Sequence, residues 1–280
     1  MLQHARIGSL VLLILVGLHR VASAQPLPWG PEEPLSLAQL GTLCSAERPV
    51  PGENPPVMDW IAWWQQAGFC NGLHAGVVSF ALSPQYDDRR TGFPGSDAVA
   101  DFCSWHVLGA TELSYASALS DPWLFFDDAF GAFIAAQADL ADEPAVGVLL
   151  NALPEIYPCA PGKAGDYQLD TAELLDLCSA KQARLLLLKP EAAMYEIGVL
   201  YGSFGYCQGV IYGWLQSALA SDRSTQSNQE PPYCLQSGTT LADLQLDLIE
   251  VVQAQFEQGE GTLPVPAGLD GLLKEALPCA

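Results

Sequence analysis

Positive charge is scarce. Eleven lysines and arginines stand against 32 aspartates and glutamates in 280 residues, a formal net charge of −21. A surface that grips nucleic acid or an anionic membrane needs a basic footprint, so no nucleic-acid partner is expected. Histidine is scarcer still: His4 and His19 fall in the N-terminal segment, which leaves His74 and His106. There is no CxxC pair, the spacing on which zinc modules and thioredoxin-like redox centres depend. GxSxG, HExxH and the phosphate-binding loop are also missing. No metal, no cofactor and no catalytic residue is therefore expected, and an enzyme is not the expected class. Beyond residue 24 no apolar run approaches the roughly 20 residues of a transmembrane helix, so no stable membrane insertion is expected either.

The N-terminus supplies what the rest lacks. Arg6 precedes an apolar stretch from Ile7 to Leu18, and Ala22-Ser23-Ala24 follows. Charged, apolar and small residues in that order read as a secretory signal over residues 1–24, with cleavage after Ala24. Loss of Arg6 and Arg20 would deepen the acidic imbalance. A periplasmic or secreted location is expected.

All eight cysteines lie past that point: Cys44, Cys70, Cys103, Cys159, Cys178, Cys207, Cys234 and Cys279. An even number in an oxidising compartment points to disulfides. Laid out in two sets of four, the cysteines expose a repeat. Leu43-Cys44-Ser45-Ala46 recurs as Leu177-Cys178-Ser179-Ala180. FCNGLHAGVVSFAL from Phe69 is matched by YCQGVIYGWLQSAL from Tyr206, Phe102-Cys103 by Tyr233-Cys234, and Pro158-Cys159 by Pro278-Cys279. Self-similarity of this kind fixes the architecture before any local reading does. The expectation is a tandem duplication: a first unit over 35–160, a linker over 161–167, and a second unit over 168–280.

Both units read as helical. Expected helices start at Ser36, span Pro56 to Leu82, run from Ser96 to Ser117, and occupy a longer portion from Asp121 to Tyr157. In the second unit Thr171, Pro190, Thr239 or Thr240, and Pro264 to Pro266 mark helix starts. The fold class expected is all-α, as two tandem disulfide-stapled repeats of four or more helices.

"GFCNGLHAG" (68–76) is out of place in such a helix, because glycine costs about 1 kcal/mol relative to alanine there. At about 100° per residue, Gly72 and Gly76 share the face opposite Cys70. Gly209 and Gly213 repeat that relation to Cys207. A face without side chains lets another helix approach closely while the cysteine pins the other side. These four glycines are read as a packing device. Four cysteines permit three pairings per unit, and helical-hairpin geometry favours Cys44–Cys70, Cys103–Cys159, Cys178–Cys207 and Cys234–Cys279.

The order of these fragments resembles the periplasmic immunity proteins of the Tai/Rap type, with the motif present once per repeat. The resemblance implies a small helical protein that neutralises a peptidoglycan amidase delivered by type VI secretion. The expected partner is then a protein, a secreted hydrolase with a basic or neutral face. Leu73 and Val210 stand where that family often has tyrosine. Two other readings fit the same scaffold: a structural or accessory envelope protein, and a chaperone-like helical module.

Candidate contact residues come from two stretches. Tyr86, Asp87 and Asp88 sit in a polar loop from Ser83 to Asp101, whose counterpart runs from Ser221 to Tyr233. A solvated turn is the plainer reading of the Tyr86-Asp87-Asp88 cluster. Trp60, Trp63 and Trp64 share one helical face, which suits a core, although tryptophan is also enriched in binding hot spots. Asp127-Asp128 reads as solvated surface, and His74, aligned with Ile211, reads as a packed core histidine.

Overall fold

The computed structural model describes residues 30–45, 49, 56–83, 128–157, 171–179, 194–225, 233–257 and 265–279. Over these the chain forms eight α-helices: α1 (Leu37–Cys44), α2 (Val57–Ala81), α3 (Asp128–Ala136), α4 (Ala145–Ile156), α5 (Thr171–Ser179), α6 (Met194–Thr225), α7 (Leu241–Glu257) and α8 (Val265–Ala276). A short 3-10 turn, Ala138–Leu140, separates α3 from α4. No strand occurs among the described residues, only an isolated bridge between Ser36 and Pro144. The all-α expectation holds.

Local chemistry explains where several helices start. Ser36 caps α1 with a reciprocal box: its hydroxyl accepts from the Gln39 N–H (3.2 Å), and Gln39 Oε1 accepts from the Ser36 N–H (2.8 Å). Thr240, rather than Thr239, caps α7 in the same way with Asp243. Pro56 stands just ahead of α2, and Asp59 places negative charge in its first turn.

Several expected boundaries move. Within the longer portion expected from Asp121 to Tyr157, the described residues 128–157 form α3, the 3-10 turn and α4. α6 runs on to Thr225, so the loop expected from Ser221 begins inside a helix, and Ser221 is fully buried. The final helix starts at Val265 and includes Pro266, whose missing N–H is tolerated in a first turn.

Two long helices form the centre. From Phe69 to Ala81 every residue of α2 except Asn71 is buried, and residues 207–218 of α6 are buried throughout. A helix that is apolar all round belongs inside. The other helices are one-sided and wrap this pair. α4 buries Ala145, Val146, Leu149, Leu150, Leu153 and Ile156; α7 turns Leu241, Leu244, Leu248 and Val252 inward. All these side chains join a single hydrophobic core together with Phe69, Phe80, Tyr212 and Trp214. Each fully buried large side chain contributes about 1.5–3 kcal/mol relative to exposure.

Three disulfides staple the shell to the centre. Cys44, ending α1, joins Cys70 in mid-α2; Cys178 in α5 joins Cys207 in α6; and Cys234, ahead of α7, joins Cys279 beyond α8. These are three of the four expected pairs. Cys103 and Cys159 lie outside the described residues, as do residues 1–24, the 161–167 linker and the expected helix from Ser96 to Ser117.

Candidate interaction surface

Among the described residues, α2 and α6 approach most closely along a seam of glycines. A Cβ placed on Gly72 would overlap the carbonyl of Tyr206, and one on Gly76 would overlap that of Val210. Reciprocally, Gly209 and Gly213 lie against the carbonyls of Phe69 and Leu73. The contacts advance together along both chains, so the two helices run parallel. Gly68 and Gly205 extend the seam by one turn, against Gly202 and Gln65. The expectation from Gly72 and Gly76 missed this turn, although the GxxxGxxxG spacing was legible in the quoted stretch. The glycine faces therefore meet each other. At each contact an Hα stands where a Cβ would be and points at a carbonyl, the geometry of a weak Cα–H···O bond.

Beside the seam lies a buried relay of amides. Gln65 Nε2 donates to Gln208 Oε1 (3.4 Å), Gln208 Nε2 to Gln245 Oε1 (3.2 Å), and Gln245 Nε2 to the Cys178 carbonyl (2.6 Å). This chain ties α2, α6, α7 and α5 together. On another side Trp214 Nε1 donates to the Tyr233 hydroxyl (2.8 Å), which donates to Asp270 Oδ1 (2.7 Å), and Lys274 pairs with Asp270 Oδ2 at 2.8 Å. His74 is buried between the rings of Phe130 and Tyr157, with Nε2 2.7 Å from the Tyr157 hydroxyl. The core reading of His74 fits this placement. All three arrangements are internal struts.

The N-terminal segment is a strap across the same core. The Tyr212 hydroxyl accepts from the Leu35 N–H and donates to the Glu33 carbonyl, both at 2.8 Å, and burial pushes its ionisation far above the usual phenol range. Gln216 Nε2 donates to the Pro31 carbonyl at 2.7 Å.

The tryptophan triad divides. Trp63 and Trp64 are buried, and the Trp64 indole lies directly over Gly198 of α6. Both rings are committed to packing, so as a contact face the triad reduces to half-buried Trp60 beside exposed Val57 and Met58. Trp60 stacks edge-on to Trp63, and Trp63 to Trp64. Tyr86, Asp87 and Asp88 lie outside the described residues.

An exposed face that the sequence reading did not single out runs along α7. Asp243, Leu246, Asp247, Glu250 and Glu257 all point outward, and Leu246 is 59 % exposed. Partial burial, then repulsion from Glu250 and Asp243, pushes the Asp247 carboxyl above its usual range. The hydrogen bonds from Thr240 hold Asp243 below it. Period-3.6 reading finds the inner stripe of such a helix, and the outer stripe is simply what remains. Two grooves accompany these elements. One of 530 Å³ is walled by Leu37, Gly41, Ile134 and Ala138 between α1 and α3; the other, of 380 Å³, lies between the Gln236–Thr239 turn, Asp243, Asp247 and Leu277.

Among the described residues no group of three histidine, cysteine, aspartate or glutamate side chains is placed to hold a metal ion, and no helix is long and apolar enough to cross a membrane. In comparisons with known proteins, the chain matches no family model, no curated protein and no solved structure.

Proposed function

We propose that this chain is an exported helical binding protein of the immunity type, built by tandem duplication, that occludes a secreted cell-wall hydrolase. The observation that carries the reading is the twice-repeated cysteine–glycine order, together with what those residues do in the fold. In each half an LCSA helix is tied by a disulfide to a long helix whose opposite face is glycine. Rigid disulfide-locked scaffolds suit occlusion, because little interface entropy is lost on docking. Three disulfides and the lack of a membrane-crossing helix among the described residues are compatible with a periplasmic or extracellular location.

The acidic, leucine-centred face of α7 suits a basic or neutral partner, with charge acting chiefly on association rate. The test is affinity capture on the oxidised protein from envelope extract, with mass-spectrometric identification and an activity assay on what is captured. One stoichiometric hydrolase, inhibited by the protein, is the expected result. A non-hydrolytic envelope component would point to an accessory role instead, and many weakly held unfolded clients to a chaperone; either overturns the immunity reading.

A further inference from the structure

The glycine seam has a property that ordinary helix packing does not require. Its contacts are reciprocal at one constant offset: Gly68 faces Gly202 while Gly205 faces Gln65, Gly72 faces Tyr206 while Gly209 faces Phe69, and Gly76 faces Val210 while Gly213 faces Leu73. In each case a glycine meets the carbonyl three residues before its counterpart glycine on the other helix. Contacts in which i meets j and the equivalent of j meets the equivalent of i define a two-fold interface. Because the helices are parallel, the axis runs along the seam.

Reciprocity fails at one level. Trp64 occupies the space over Gly198, where an added Cβ would strike the indole. At the same offset the counterpart of Gly198 is Ile61, and that of Trp64 is Tyr201. Two first halves paired in this register would therefore drive Trp64 against Ile61.

We propose that the chain is a homodimer made continuous. Its two halves recognise each other through a self-complementary parallel glycine seam, and the Trp64–Gly198 contact is the key that turns the first half toward the unlike one. A bulky ring that finds a missing side chain only on the unlike half is a steric device against pairing of two first halves, and it leaves the rest of the seam unweakened. The inference deepens the duplication within the proposed reading, and it is independent of any hydrolase.

No described disulfide joins the halves, so cutting the linker tests the idea directly. A protease site placed within 161–167 is cleaved in the oxidised full-length protein, the halves are exchanged in mild denaturant and refolded, and the pairs are weighed by native mass spectrometry. The wild-type halves should give unlike pairs and no pair of two first halves. The nicked Trp64→Ala protein should also give pairs of two first halves. Separation of the wild-type halves, or pairs of two first halves that are absent from both proteins or present in both, overturns the proposal. A second measurement keeps to the intact chain. Gly198→Ala should lower Tm by roughly 2–4 °C or more, and that shift should shrink when Trp64→Leu is already present. Equal shifts in both backgrounds would show that Trp64 and Gly198 are not coupled, and would overturn the key.

Discussion

A single hydrogen decides the seam. Because a Cβ on Gly72 or Gly209 would meet backbone rather than the end of a flexible side chain, relief requires moving a helix. Gly72→Ala and Gly209→Ala should each destabilise by about 1–3 kcal/mol or more, measured by denaturant unfolding. Gly271 is the internal control. It is exposed within α8 with open space around its Cβ position, so Gly271→Ala should stabilise by about 0.4–1 kcal/mol. If all three move the midpoint alike, close approach is not what the seam glycines provide. The amide relay offers a second residue-level test. Gln208→Met should cost about 1–3 kcal/mol, because it strands buried groups of Gln65 and Gln245. These glycines were legible because glycine is conspicuous inside an apolar helix. The glutamines were not, since a buried and a solvated glutamine look the same in a sequence, and only the meeting of α2, α6 and α7 makes them partners.

Helix starts were legible wherever a capping side chain marked them, as at Ser36 and Thr240. Helix ends were not: α6 overruns its expected end to Thr225, with Ser221 buried inside it. The start of α7 makes a pH-sensitive element. Asp243 has its ionisation lowered by the Thr240 bonds, so its contribution is present above the unfolded carboxylate range and is lost as pH falls through the lowered folded value. Thr240→Ala should cost about 1 kcal/mol at neutral pH; the part that acts through the Asp243 carboxylate should fade below about pH 4, while the loss of the hydroxyl that caps the Asp243 N–H should remain. Asp247 has the opposite sign. Its raised ionisation means that the charged form is disfavoured in the fold, and stability is lost as pH rises through the folded value. Asp247→Asn should therefore raise Tm at neutral pH, with the gain vanishing in acid. A gain that persists unchanged below that range would refute the repulsion.

At the scale of the molecule, the eight-cysteine layout made the disulfide frame readable while the joining of the halves stayed hidden. The sequence pattern divides the chain in two, yet the fold shares one core across both halves, because each glycine face needs a partner and the nearest equivalent face is the other one. No local pattern in either half reports that match. The tryptophan stretch was legible in part: helical spacing on one face suited a core, and Trp63 and Trp64 are buried, Trp64 against Gly198. The Cys234–Cys279 bond closes the last two helices into one loop with a sequence separation of 45. Replacing both cysteines with serine should lower stability by about 2–4 kcal/mol, and proteolysis should release α8 before any other helix. Cleavage beginning elsewhere would show that the tether does not limit the opening of that end.

The strap from Pro31 to Leu35 sets a clock on biogenesis. Its anchors, Tyr212 and Gln216, lie 177 to 185 residues further along the chain. At a synthesis rate of about 5–20 residues per second, the strap waits roughly 9–35 s for the tyrosine that completes it. For most of that interval α2 carries its bare glycine face with no mate. The first half is thus a guest awaiting its host until the second long helix has emerged.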